Sequence, residues 1–567
     1  MNRYATVLMI AAVLLAECSF GGGHVRKKIV ALGWDVMWAT PAQLLERSDE
    51  FANTGISGMI PTLSGELPDG TKISPRRLMH EPPWTEAAFA ADEPIWTELL
   101  KKKGFTESFA GPLRMPTNRV AWTDDAWWGR VAGNMRVFGR VTRRFGFKGI
   151  EVDHEDYPRG KPFVRRPDDL PFRELAPIVR RRAREMFSPF FEEFPEAILF
   201  GCRFLSVDPD FWDYYCRCPD PAARIEEWGD LWPSFVNGIL DAMPMTARLV
   251  EGDETGYRYE ASRHDYFKAY ARLNQALPAL LAPESRLKYR AVSTVAFPVY
   301  LDMYSSHESK SRYYRGPVDG SRAAHCERNL SEAIDASDEY MWVYGERASW
   351  VHWPKPPDPR ASLAAKTWDE LMPGLFDVLY AKTDPCGYAR KKLASLTEDE
   401  KSANVLKGVL EGAAASYKTP GFHATSHLPK PFHGWQGREQ PGTFGVCTSE
   451  DGYAALYAEG VGRGGIMFSC LDLAEGSYHL VAFKVKGGLS QVIIRVCREN
   501  GEQELVEPPT WIISDDAAEV DGWRQVACVV RVPDASTGFM ASACVKQKPG
   551  ERTLLRDFHS VPVLNMR

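Results

Sequence analysis

Two short apolar runs, Arg119-Val120-Ala121-Trp122 and Gly149-Ile150-Glu151-Val152-Asp153, bracket the stretch whose reading decides the fold. Between them Trp128, Val131, Met135, Phe138, Val141 and Phe145 recur every three or four residues, the period of a helix that must turn one apolar stripe toward a core. Thr123-Asp124-Asp125 ahead of that stripe supplies an N-cap, because a short side-chain oxygen there accepts from an otherwise unpaired amide of the first turn. The unit reads strand, helix, strand.

The same beat runs from about Lys27 to Asp384. Strands are expected at 29–34, 56–60, 119–122, 149–153, 197–201, 247–250, 289–295 and 339–344. Helices are expected from Pro41, over 128–145, around 175–191 and near 222–241, 262–281, 322–336 and 362–381. Eight alternations of short apolar strand and longer amphipathic helix predict an α/β domain, a (β/α)8 TIM barrel over 27–385. Arg180-Arg181-Arg182-Ala183-Arg184 falls on one helix and reads as a solvated face. Beyond Asp384 the period changes. Residues 395–417 read as one more helix within a Pro/Gly-rich linker spanning 386–440. From 441 to 567 short alternating strands, such as 478–485 and 525–532, predict an all-β sandwich of jelly-roll type.

The chain has 567 residues, 44% hydrophobic and 25% charged, which excludes a disordered or fibrous protein. Sixty-nine Lys and Arg against 75 Asp and Glu give a net charge of −6 with no basic half, which argues against nucleic-acid binding. Met1-Asn2-Arg3 precedes an apolar run over 5–16 and then small polar residues. That is a signal peptide over 1–23, so the protein is expected to be exported from a bacterium to the periplasm, the cell surface or the medium. Leu15-Ala16-Glu17-Cys18 is lipobox-like, which would make Cys18 a lipid anchor, although Glu17 stands where a small residue belongs. No other stretch is long and apolar enough to span a membrane. Eleven irregularly spaced cysteines give no disulfide framework, and the one close pair, Cys216-Arg217-Cys218, lacks a second half-site for a metal. P-loop, Rossmann, His-Glu-x-x-His and Gly-x-Ser-x-Gly patterns are absent, so neither a metal nor an organic cofactor is expected.

A barrel keeps its working residues at the C-terminal strand ends. Those ends carry Trp34 and Asp35, Trp122, Asp153 through Tyr157, Glu251 through Tyr257, Asp302, and Glu346 with Trp350 close behind. Acids and aromatics on one rim match a sugar pocket, where carboxylates move protons and stabilise an oxocarbenium-like transition state while flat rings stack on pyranose faces. Residues 151, 153 and 155 alternate and therefore share one side of their strand. A carboxyl beside another carboxylate keeps its proton to higher pH, which casts Glu155 as general acid and Asp153 as its neighbour. Glu346 is the opposite carboxylate, nucleophile or base, and reads equally as an ion-pair partner of Arg347. Trp34, Asp35, Trp122, Tyr157, Glu251, Tyr257, Asp302 and Trp350 are the expected substrate-binding set, and each aromatic among them reads equally as core.

Lys148-Gly149-Ile150-Glu151-Val152-Asp153-His154-Glu155-Asp156-Tyr157 resembles the fourth-strand signature of family-18 chitinases, Asp-x-x-Asp-x-Asp-x-Glu followed by Tyr. The resemblance implies that Glu155 is the general acid and that Asp153 orients a substrate acetamido group. Lys148 replaces the first Asp, Glu151 an inner Asp, and His154 an aromatic. More widely, the Gly-Trp-Asp, Gly-Ile-x-x-Asp-x-Glu-x-Tyr and Trp-Val-Tyr-Gly-Glu strand ends resemble glycoside-hydrolase-like barrels of exported bacterial proteins. The segment around Gly522-Trp523-Arg524 and Arg531-Val532-Pro533-Asp534 resembles carbohydrate-binding-module jelly rolls. Together these imply an exported glycosidase acting on a carbohydrate substrate. The alternative is a non-catalytic glycan-binding surface protein on the same scaffold.

Overall fold

The computed structural model describes residues 27–115, 120–154, 162–206, 220–259 and 262–397 apart from 359, 361 and 364, and then 428, 432–437, 440–471, 473–498, 503–505, 512–513, 522–533, 536–564 and 566. The leader with Cys18, the pair Cys216 and Cys218, most of the 395–417 helix, and Glu155 and Tyr157 lie outside the described residues. Two compact units divide between Thr383 and Asp384. Among the described residues no helix is long and apolar enough to cross a membrane.

The first unit is α/β. One parallel sheet has the order Pro298–Tyr300, Tyr340–Gly345, Lys28–Gly33, Gly58–Met59, and a second runs Ala110–Arg114, Gly149–Asp153, Ile198–Gly201, Arg248–Glu251, Ser293–Val295. Two features bridge the sheets. Thr62 and Gly111 form a parallel bridge. At the other edge one chain segment serves both: Ser293–Val295 pairs with the 248–251 strand and Pro298–Tyr300 with the 340–345 strand. The amides of Ala296 and Trp342 carry the pairing across the break by donating to Glu251 O and Phe297 O. The 149–153 strand is buried from end to end, as a parallel strand covered on both sides must be.

Helix Asp125–Phe145 follows its sequence pattern. Asp124 accepts from the Trp127 amide at 3.0 Å, Gly146 closes the helix at φ 100°, and the six expected apolar positions are buried. It packs on Phe172–Glu193, whose Arg run is not a uniform solvated face. Arg182 is buried, donating to Trp122 O at 2.9 Å and pairing with Asp125 and Glu185, while Arg180 pairs with Asp241 and Glu284.

Two strand expectations are corrected. The third strand is Ala110–Arg114, with Val120-Ala121-Trp122 in a loop; Gly111 and Pro112 break the apolar run that would have marked it. Residues 289–292 finish a helix, Pro283–Val292, and the strand begins only at Ser293. A short apolar run reads alike as the end of a buried helix or a buried strand.

The second unit is an antiparallel sandwich. Phe432–Gln436, Gly464–Leu471, Ser536–Val545, Gln491–Arg498 and Gln503–Leu505 form one sheet. Thr443–Thr448, Ala454–Glu459, Arg552–Leu564, Tyr478–Lys486, Arg524–Arg531 and Ile512–Ile513 form the other. Phe432, Phe468 and Phe483 surround Phe558 at 4.8, 5.3 and 5.4 Å between ring centres. Helix Pro385–Ala394 belongs to this unit: Ala389 packs with Leu480, Ala482, Ala527 and Val561. The 478–486 strand is thus covered on both faces, which is why its sequence is nearly continuously apolar.

Helix Trp232–Ala242 rests on the 172–193 helix through Gly238, where an added Cβ would stand 2.1 Å from Arg180 O and 2.6 Å from the Ala183 Cβ. Gly238→Ala should therefore destabilise the first unit by about 1–3 kcal/mol despite the better helix propensity of alanine. Thermal unfolding measures it, and an unchanged or higher melting temperature would refute the close contact.

Candidate functional site

The 340–345 strand ends in Tyr344 and Gly345, and the chain turns immediately so that Glu346 follows on the rim. Gly345 is required there, because a Cβ would lie 2.2 Å from the Trp368 ring. The Glu346 amide donates to Asp302 Oδ2 at 2.7 Å, which fixes the backbone. Its carboxylate accepts from Tyr344 OH at 2.7 Å on Oε1 and from Tyr300 OH at 3.0 Å on Oε2. Burial first, then the Asp302 and Glu346 charges, push the Tyr300 phenol far above its ordinary value, so it donates at any physiological pH. Tyr257 extends the wall, 5.4 Å from Tyr300 and stacked on Tyr344 at 6.2 Å. Among the described residues Glu346 has no ion pair with Arg347, which donates to Ser306 O instead. Glu346 is half-buried, an oriented carboxylate with one side toward solvent.

Across the strand ends, Asp153 Oδ2 accepts from Arg114 Nε at 2.8 Å, while Asp153 Oδ1 is buried with no hydrogen bond among the described residues. Glu151 is fully buried beneath it and accepts from the Cys202 thiol at 3.3 Å. Burial, and then the Glu151 charge, raise that thiol well above its usual range, so Cys202 is a small apolar filler and not a nucleophile. His154 lies flat on Trp232 at 3.5 Å, and burial drives its pKa well down, which makes it a neutral ring in an aromatic stack. Glu254, in the loop after the 248–251 strand, is ion-paired to Arg203 at 3.0 Å. Burial raises its carboxyl and Asp153 raises it further, against the pull of Arg203. Sequence reasoning passed over Glu254; its only signal was its place at a strand end.

The expected binding set divides. Trp350 is 1% exposed and stacked on Phe376, and Trp122 is 6% exposed and stacked on Trp128 at 5.4 Å, so both rings belong to the core and offer no face to a ligand. Asp35, Glu251 and Asp302 are buried carboxyls engaged with protein donors rather than open to a substrate. Asp35 takes the Trp350 amide at 2.7 Å, and Glu251 takes the amides of Phe204 and Leu205 with the Ser206 hydroxyl at 2.6–2.8 Å. Trp34 and Tyr257 are half-buried at the rim, where Arg360 lies over the Trp34 ring at 4.5 Å. Trp34, Tyr257 and Glu346 remain at the rim with open surface, while Asp153 is buried at its strand end; Glu155 and Tyr157 lie outside the described residues. Trp38, 37% exposed beside Trp34, was missed because it stands in the helical turn after the strand. Among the described residues no group of three His, Cys, Asp or Glu is placed to hold a metal.

No protein family and no curated protein matches this chain. Similar solved structures include carbohydrate-binding modules and glycosidase-associated domains. They include the enzymatically active domain of bacteriophage CBA120 tailspike protein 4 (11% identity, TM-score 0.17, 23% of this chain and 19% of that one). A Clostridium thermocellum endo-1,4-β-D-xylanase, its CBM22-1 and GH10 modules complexed with xylohexaose, matches at 10% identity and TM-score 0.16 over 23% of this chain and 26% of that one. A family-61 carbohydrate-binding module in complex with β-1,4-galactotriose matches at 14% identity and TM-score 0.17 over 24% of this chain and 90% of that one. This chain thus spans about a fifth to a quarter of the first two.

Asp35 gives the site region a pH signature. Burial raises its carboxyl to about 6, above the unfolded value near 3.9, so the folded state favours the protonated form. Its contribution is fully present below about pH 4 and is lost as pH rises through 6, a change of about 3 kcal/mol. Asp35→Asn should remove that loss. Melting temperatures of the two proteins, compared from pH 4 to 7, should diverge up to about pH 6 and then run parallel; parallel curves throughout would contradict the raised carboxyl.

Proposed function

We propose that the protein is an exported glycoside hydrolase whose first unit is a closed (β/α)8 barrel. The two parallel sheets support closure, joined at one side by the Thr62–Gly111 bridge and at the other by the segment 293–300 that serves both. Counting 293–300 once, eight strands follow one another around the ring.

The observation that carries the function is Glu346: a carboxylate oriented by two phenols and a pinned backbone, open on one side, in a wall of Tyr257, Tyr300 and Tyr344. Such a group can stabilise positive charge developing at an anomeric carbon or attack it, and the phenol faces can stack on sugar rings. Glu155, two residues beyond Asp153 in the sequence, is the proton donor in this reading. Glu254, its carboxyl raised by burial and by the Asp153 charge, is the second acid of this reading. One observation favours the binding-only reading: Asp153 spends an oxygen on Arg114, as a structural carboxylate would.

The test is turnover of an aryl-glycoside and polysaccharide panel, with binding measured in parallel. Glu346→Gln should lower kcat by about 10³-fold or more while leaving affinity within a few-fold, and Glu155→Gln should do the same. Full activity in Glu346→Gln would remove it from the reaction. A loss in Glu254→Gln but not in Glu155→Gln would move the proton donor. Binding of glycans without turnover of any would establish the binder instead.

A further inference from the structure

The loop after the 58–59 strand brings an arginine to the rim that the chemistry above does not use. Arg76 sits in the short 3₁₀ turn Pro75–His80, packed against the 110–114 strand. Its guanidinium lies 4.6 Å from the centre of the Trp38 ring and donates to Met37 Sδ at 2.7 Å. Arg360 stands 5.8 Å from the same Trp38 ring.

The ion pairs nearby are already taken. Arg114 is engaged with Asp153, and Arg360 chelates Asp358 through both oxygens. Among the described residues no carboxylate lies within ion-pair distance of Arg76. The charges that act on it are Arg114 and Arg360, which oppose its own, and Asp153, Glu151 and Asp358, the first paired to Arg114, the second buried and the third chelated by Arg360. A thioether and an indole face satisfy a guanidinium poorly: they leave most of its N–H donors to solvent or a ligand. Burial first and Arg114 second accordingly lower its pKa from the ordinary value. A half-buried cation without a counter-ion among the described residues, set on an exposed indole, is suited to a planar or tetrahedral oxyanion carried on a ring that stacks on that indole.

We propose that Arg76, with Trp38 beneath it and Arg360 on the same ring, receives an anionic substituent of the glycan. The substituent is a uronate carboxylate or a sulfate ester, and the proposal rests on the glycan reading above. Arg360 also feels the charge of Glu346, so the acidic sugar would sit next to the reacting one.

The full-length protein should be probed on a glycan array that carries uronate-bearing, sulfated and neutral glycans, with carboxyl-reduced and desulfated twins of the acidic ones. At least one acidic parent should be retained about tenfold or more over its neutralised twin, and the preference should fall as salt rises. The uronate pairs and the sulfate pairs report separately which oxyanion is taken. Arg76→Gln should abolish the preference with its melting temperature unchanged. Arg76→Lys keeps the charge but not the fork, should keep part of the preference, and decides the matter if the Gln protein melts early. Equal retention of parents and twins, or a preference that Arg76→Gln retains, overturns the proposal and leaves the glycan reading standing. Retention of no glycan at all overturns both.

Discussion

A carboxylate withdrawn from water at the end of a parallel strand must be given N–H or O–H donors, and at three strand ends here those donors come largely from neighbouring loops. Asp35 holds the amide of Trp350, Glu251 the amides of Phe204 and Leu205, and Asp302 the amide of Glu346. Left unpaired, each buried charge would cost several kcal/mol, so the loops cannot peel away from the strands independently. Glu346 inherits its position from this arrangement. Its backbone hangs on Asp302, and its side chain is then within reach of the phenols on two adjacent strands.

The rim above this layer divides into two chemistries. Around Glu346 the wall is phenolic, with Tyr257, Tyr300 and Tyr344 in mutual ring contact and the hydroxyls of Tyr257 and Tyr300 kept protonated by burial. Around Asp153 it is guanidinium-rich, with Arg76 and Arg114 close by, Arg203 paired to Glu254, and Arg360 on the indoles of Trp34 and Trp38. An uncharged stacking surface beside a cationic one suits a ligand with flat polar faces and a negative substituent. Cys202 and the His154–Trp232 stack are buried groups that pack near the strand ends.

Local pattern carried much of this fold. The 125–145 helix was legible because its burial repeats at the helical period and its ends carry an Asp cap and a glycine in the left-handed region. The sandwich was legible from alternation and turn residues. The 110–114 strand was not, since glycine and proline interrupt it and its pairing comes from neighbours distant in sequence. Residues 289–295 failed for a related reason: helix end and strand start adjoin, and neither is long enough to show a period. Helix 385–394 was assigned to a linker because nothing within it announces the sheet that it covers.

At the site the same boundary holds. Alternation along 149–153 by itself determined that Glu151 and Asp153 share one side of the strand, and the short apolar runs determined that Asp35, Asp302 and Glu346 fall at strand ends. Which of these carboxyls is consumed by backbone amides and which stays open was decided by the tertiary structure alone. The donors that consume them lie tens to hundreds of residues away, as Trp350 does from Asp35 and Glu346 from Asp302. Trp122 and Trp350 became core and Trp38 became surface for the same reason: exposure is a property of what packs against a ring, and no window of sequence contains those neighbours.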